Sequence, residues 1–135
     1  MTWDQAREVS RNGVAIGSHT HTHRVLARLD EQAQRWELLE SKLALEKHLG
    51  QAVHTIAYPV GRYGNFTPAT MRIAGECGYK AAFSFRTGGN SLAAMNRYDM
   101  RRISARDRFD ATFACCAYMP KLFTWVQAAP STTAH

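Results

Sequence analysis

"GVAIGSHTHTHRVLARLDEQAQRWELLESKLALEKHLG", residues 13–50, decides the fold. Its short apolar run, Val14–Ile16, sits between Gly13 and Gly17 and reads as a buried strand. The run passes straight into a polar loop with histidines at every second position, His19, His21 and His23. Asp30 then stands as a natural N-cap, and Ala33, Trp36, Leu39 and Leu43 recur at spacings of three or four. That periodicity predicts a long helix with those four residues inward, closed by Gly50. Strand, polar loop and helix in this order make the first half of a βαβ unit.

The same alternation continues on both sides. Upstream, Thr2 and Gln5 form a capping-box signature for a helix carrying Trp3, Ala6 and Val9 on one side, with Gly13 at its end. Downstream, "VHTIAYP" (53–59) reads as a strand stopped by Pro59, and "GRYGNF" as a glycine-rich loop. Thr67 caps a helix with Pro68 at its first position, and Gly78 closes it. "YKAAFSF" (79–85) and, more weakly, "MRRIS" (100–104) are further strands, and Asp107 caps a helix running to about Tyr118. The expected organisation is one domain over residues 1–128 and a flexible tail over 129–135.

Helices alternating with strands across short turns imply a parallel α/β sheet. Sites in such sheets form at the carboxyl ends of the strands. The histidine loop leaves one strand end and "YPVGRYGN" leaves the next, so adjacent strands would bring both to one pocket.

Bulk properties bound the function. The 135 residues suit one domain with a real core. Three cysteines, Cys77, Cys115 and Cys116, lack metal-ligand or disulfide-framework spacing, which fits buried thiols in a reducing compartment. No apolar run approaches the ~20 residues of a membrane span, and the N-terminus lacks a signal-type apolar region. The chain as written reads as cytoplasmic, or as extracytoplasmic if it is a piece of something longer. Lys and Arg number 17 against 11 Asp and Glu, with Arg97, Arg101, Arg102, Arg106 and Arg108 clustered in "NRYDMRRISARDRF". A polyanion-binding basic domain is therefore one reading. No nucleic-acid motif accompanies the cluster, and a solvated face pairing to Asp99, Asp107 and Asp110 is the simpler one. Trp3, Trp36 and Trp125 read as packing aromatics, whereas Tyr58 and Tyr63 stand between packing and substrate contact.

Imidazole is the commonest biological metal ligand. His19 and His23, four apart, converge on one ion if the loop turns, as Gly17 and Ser18 favour, and His21 then points elsewhere. A hydroxyl at Thr20 or Thr22 would tie the loop backbone or a ligand's second nitrogen. The bland alternative is a histidine-rich surface loop.

"AIGSHTHTH" with "VLARL", then "ESKLALEKHLG", "TIAYPVGRYG" and "AGECGYKAAFS", resembles the polysaccharide deacetylases, the NodB-homology proteins of carbohydrate esterase family 4. The likeness runs from Trp3 to about Arg106. It implies a partial or distorted (β/α) barrel that holds a divalent metal, usually zinc, and removes N- or O-acetyl groups from polymeric amino sugars. By the family's His-[Ser/Thr]-x-x-His motif, His19 and His23 are metal ligands, Thr20 is the loop-stabilising hydroxyl, and His21 is a variable position. The groove motif Arg-x-Pro-[Tyr/Phe]-Gly maps to Ala57–Gly61, with Ala57 where the arginine belongs and Val60 where the aromatic belongs. Tyr58, Pro59, Gly61 and Tyr63 would then contact substrate, and the Val60 N–H would serve as oxyanion donor.

Two family motifs have no counterpart here. One is the leading Asp-Asp strand that supplies the general base and third ligand; the other is the late His motif that supplies the general acid. Neither His54 nor His135 substitutes for the latter. The expectation is a deacetylase domain shortened at its first strand, completed by homo-oligomerisation or by a partner chain. Its alternative is a catalytically impaired metal- or carbohydrate-binding relative.

Overall fold

A computed structural model describes residues 1–91 and 93–102. Its first helix, α1 (Trp3–Arg11), begins with the expected reciprocal cap. Gln5 N–H donates to Thr2 Oγ1 at 3.3 Å, and Thr2 N–H donates to Gln5 Oε1 at 2.8 Å. Helix α2 (Glu31–Leu49) starts at Asp30, whose carboxylate accepts from Ala33 N–H at 2.7 Å. It ends at Gly50 in the left-handed conformation. Helix α3 (Pro68–Glu76) has Thr67 as its cap and Pro68 in its first turn.

Three parallel strands, β1 (Thr55–Ala57), β2 (Ala81–Thr87) and β3 (Met100–Arg102), form a sheet in the order β1-β2-β3. Ile56 lies opposite Ala82, and Phe83 opposite Met100. The register slips between Phe83 and Thr87. With α3 linking β1 to β2, this is the parallel α/β arrangement expected of a partial barrel.

The expected strand at 14–16 is not one. Val14 is 55% exposed, and the segment meets the sheet only at Ser18, in a parallel bridge to Ile56. Ser18 N–H donates to Thr55 O, and Ala57 N–H to Ser18 O, both at 2.9 Å. Gly17 permits this approach, because a Cβ there would lie 2.7 Å from Thr55 Oγ1. A single bridge is all the pairing this segment makes among the described residues, so its hydrophobic run has no ladder to join.

The core gathers Leu26, Leu38, Val53, Ile56, Tyr58, Phe66, Ile73, Ala74, Cys77, Tyr79 and Ala82. Burial raises the Cys77 thiol's pKa, as suits a packing residue rather than a nucleophile. The inward face of α2 differs from the predicted one. Trp36, Leu39 and Leu43 are exposed, while Gln34, Glu37, Leu38 and Ser41 are buried. Polar groups are tolerated there because each is bonded. Gln34 Nε2 donates to Leu29 O at 2.9 Å, and Thr70 Oγ1 donates to Gln34 Oε1 at 2.7 Å. Trp3 and Val9 are likewise more exposed than core residues; Trp3 stacks on His48 with centroids 4.0 Å apart.

Among the described residues Asp99 pairs with Arg86 at 2.5 Å, not with Arg97, Arg101 or Arg102. The helix expected from Asp107 to Tyr118 lies outside the described residues. So do Ile103, Ser104, Arg106, Arg108, Asp110, Cys115, Cys116, Trp125 and the 129–135 tail with His135.

Candidate active site

The histidine loop leaves the sheet at Ser18 and turns sharply. Thr20 (φ 67°) and His23 (φ 61°) both adopt left-handed backbone, as does Val60 (φ 60°) in the neighbouring turn. Three non-glycine residues in that region cost on the order of 1–3 kcal/mol each and cluster where a fold holds a functional geometry. This turn brings His19 and His23 together, with ring centroids 4.8 Å apart and planes inclined at 69°.

His19 Nδ1 lies 2.7 Å from Ala57 O. A carbonyl only accepts, so Nδ1 carries the proton and Nε2 keeps its lone pair. His21 turns away and meets Trp36 edge-on at 4.9 Å. Thr22, not Thr20, fastens the loop: its hydroxyl and its N–H both donate to the Glu37 carboxylate, joined by His21 N–H at 2.9 Å. Burial would push the Glu37 carboxyl up, but the bonds from Thr22 and His21 outweigh it and hold its pKa below the usual value. Thr20 Oγ1 is buried with no protein partner among the described residues.

The second loop, Tyr58–Gly61, closes over the end of β1. Gly61 O accepts from Phe85 N–H at 2.7 Å. A Cβ on Gly61 would sit 2.8 Å from Phe85 N, so this position needs glycine for space as well as for φ. Val60 N–H donates to no protein acceptor among the described residues. A cleft of about 460 Å³ is lined by His19, Tyr58, Val60, Arg62, Phe85 and Arg102.

Of the expected substrate contacts Tyr58 lines it, whereas Pro59, Gly61 and Tyr63 do not. The Tyr58 side chain is 1% exposed, stacks on Phe66 and donates its hydroxyl to Tyr98 O at 3.0 Å. Its ring is core, and only its backbone belongs to the groove turn. Pro59 is also fully buried. Tyr63 is 75% exposed, with the Arg86 guanidinium 4.1 Å over its ring. Arg62, Phe85 and Arg102 were not singled out as groove residues by the sequence; Phe85 and Arg102 sit at strand positions that read only as packing or charge.

Two imidazoles at this separation suit half of a tetrahedral zinc site, in which ligand nitrogens ~2.1 Å from the ion lie roughly 3.4 Å from each other. The buried, unpartnered hydroxyl of Thr20, next to His19 in the chain, is a further polar group in want of a partner. No third His, Cys, Asp or Glu joins the pair among the described residues.

The polysaccharide deacetylase family model matches residues 1–82. This chain belongs to the polysaccharide deacetylases. YxkH of Bacillus subtilis (strain 168), provisionally named a polysaccharide deacetylase, is 33% identical over 91 residues, which make 67% of this chain and 32% of YxkH. The Streptococcus pyogenes deacetylase PplD, solved in complex with acetate, superposes with a TM-score of 0.70 at 31% identity, over 76% of this chain and 44% of PplD. The BpsB deacetylase domain from Bordetella bronchiseptica shares the fold, with a TM-score of 0.67 at 22% identity, over 76% of this chain and 48% of that one. The chain thus spans about a third of YxkH and less than half of PplD. Its mixed α/β architecture is that of the NodB-type fold.

Proposed function

We propose that this polypeptide carries the metal-binding half of a deacetylase site, acting on N- or O-acetyl groups of an amino-sugar polymer. The convergence of His19 and His23, with His19 Nδ1 capped by Ala57 O, supports it most. A divalent ion such as zinc would be held by these two rings. When bound, such an ion supplies Lewis acidity towards an acyl oxygen and lowers the pKa of water. The chain's own residues do the rest: the Val60 N–H, which has no acceptor among the described residues, would serve as a donor for developing negative charge, and the cleft lined by His19 and Val60 would admit a sugar. Acetate in the PplD structure fits a product of this size.

No carboxylate among the described residues joins His19 and His23 in one ligand group, so the third ligand and general base would come from elsewhere: residues outside the described ones, a second copy, or a partner chain. A general base is worth ~10²–10⁴ in rate. The same observation favours a second reading, a relative that binds metal or carbohydrate with little turnover. Titration with Zn²⁺ tests the shared part: a site lost in both His19→Ala and His23→Ala supports the proposal, and unchanged binding refutes it. Acetate release from acetylated chito-oligomers then separates enzyme from binding module. Under the proposal light scattering finds an assembled species, and a clean monomer that nevertheless turns over would remove the need for a partner.

A further inference from the structure

We infer that the polar stripe on the inner face of α2, Glu37 with Ser41 one turn later, is a clamp that sets the geometry of the two histidines, Glu37 being its positioning residue. This deepens the cation-site reading of His19 and His23 and rests on it. The loop they occupy contains two left-handed non-glycine residues, a backbone that would relax if released. Glu37, 2% exposed, grips the middle of that loop through His21 N–H, Thr22 N–H and the Thr22 hydroxyl. Ser41 grips its start. Ser41 Oγ lies 2.7 Å from Ser18 Oγ, which in turn accepts from Thr20 N–H at 3.3 Å. Residues four apart on a helix share one face, so a single turn of α2 fastens the chain on both sides of the first left-handed bend.

Both Glu37 oxygens are committed to the loop, with Oε2 taking two N–H groups and Oε1 the hydroxyl. Glu37 therefore acts through the loop and is no ligand itself. Groups that orient ligands without touching the ion commonly change affinity by ~10–100-fold. A carboxylate suits the place better than an amide, because all three partners donate and a carboxylate only accepts. The clamp also explains the rotated helix: α2 turns polar residues inward because the loop needs them, and leaves Trp36, Leu39 and Leu43 outside.

The test uses the whole chain, Co²⁺ as probe, and the variants Glu37→Ala, Glu37→Gln and Ser41→Ala. Co²⁺ binding is followed by calorimetry and by its visible absorption, and amide exchange by NMR without metal. The expected result is ~10–100-fold weaker Co²⁺ binding in Glu37→Ala with a changed spectrum, an intermediate loss in Glu37→Gln, and lost exchange protection at His21 and Thr22. A merely structural glutamate would lower the melting temperature but leave Co²⁺ affinity intact well below it. Wild-type affinity in folded Glu37→Ala, or in folded Glu37→Gln should Glu37→Ala not fold, overturns the clamp. Should the wild type bind no Co²⁺, the cation reading fails instead, and the clamp is then decided by the exchange of the His21 and Thr22 amides, unprotected amides in the wild type overturning it.

Discussion

His19 Nδ1 meets the carbonyl oxygen of Ala57 at 2.7 Å, tying the histidine loop to the end of β1. The tie fixes which nitrogen is free. Ring ¹⁵N shifts of the neutral, metal-free chain should show His19 as the Nδ1–H tautomer, with Nε2 unprotonated. The opposite tautomer would mean the hydrogen bond is not made, and Nε2 would no longer be available to a cation.

Glu37 links the same loop to pH. Its carboxyl is held below the ordinary value of 4.5 despite burial, so the folded state prefers the ionised form. A depressed carboxylate contributes stability that is complete above its unfolded pKa and is lost as pH falls through the folded one. The melting temperature of wild type should therefore exceed that of Glu37→Gln near neutrality, with the gap narrowing below about pH 4.5. A gap that widens in acid would show that the shift runs the other way.

The true inward face of α2 makes a third prediction. Leu38 is fully buried, so Leu38→Ala should cost about 2–5 kcal/mol in chemical denaturation. Leu43 lies on the face that the periodicity assigned to the core, yet it is exposed, and Leu43→Gln should stay within about 0.5 kcal/mol of wild type. Reversed costs would restore the face predicted from sequence.

That helix shows where the sequence was legible. Its ends were, because capping is local chemistry: Asp30 and Gly50 act within a turn of themselves. Its rotation was not, because apolar spacing alone gave Trp36, Leu39 and Leu43 as the inner face, whereas the buried Gln34, Glu37 and Ser41 owe their position to partners in distant loops. Those polar residues at spacings of three and four were the available signal. Val14–Ile16 failed for a similar reason, since an apolar run becomes a strand only where a ladder exists to receive it. The pairing of His19 with His23 was readable from spacing and from resemblance. The burial of the Tyr58 ring was not, because it depends on Phe66 and Tyr98.

The groove turn supplies the last prediction. Gly61 combines a left-handed backbone (φ 54°) with a Cβ position 2.8 Å from Phe85 N and 3.0 Å from Tyr58 O. Both neighbours are backbone atoms: Phe85 N–H is itself bonded to Gly61 O, and the residue carrying Tyr58 O is anchored through its N–H to Phe83 O, so neither moves aside cheaply. Gly61→Ala should cost about 1–3 kcal/mol and displace Val60, which lines the cleft. Tyr58→Phe is the matched control: it removes only the hydroxyl bond to Tyr98 O, about 1 kcal/mol, and leaves the turn in place. Under the proposed chemistry Gly61→Ala lowers kcat of acetyl release, whereas Tyr58→Phe shifts stability alone. An unchanged rate in a folded Gly61→Ala protein would take the Val60 N–H out of the reaction, because the same steric displacement that strains the turn must also move that donor.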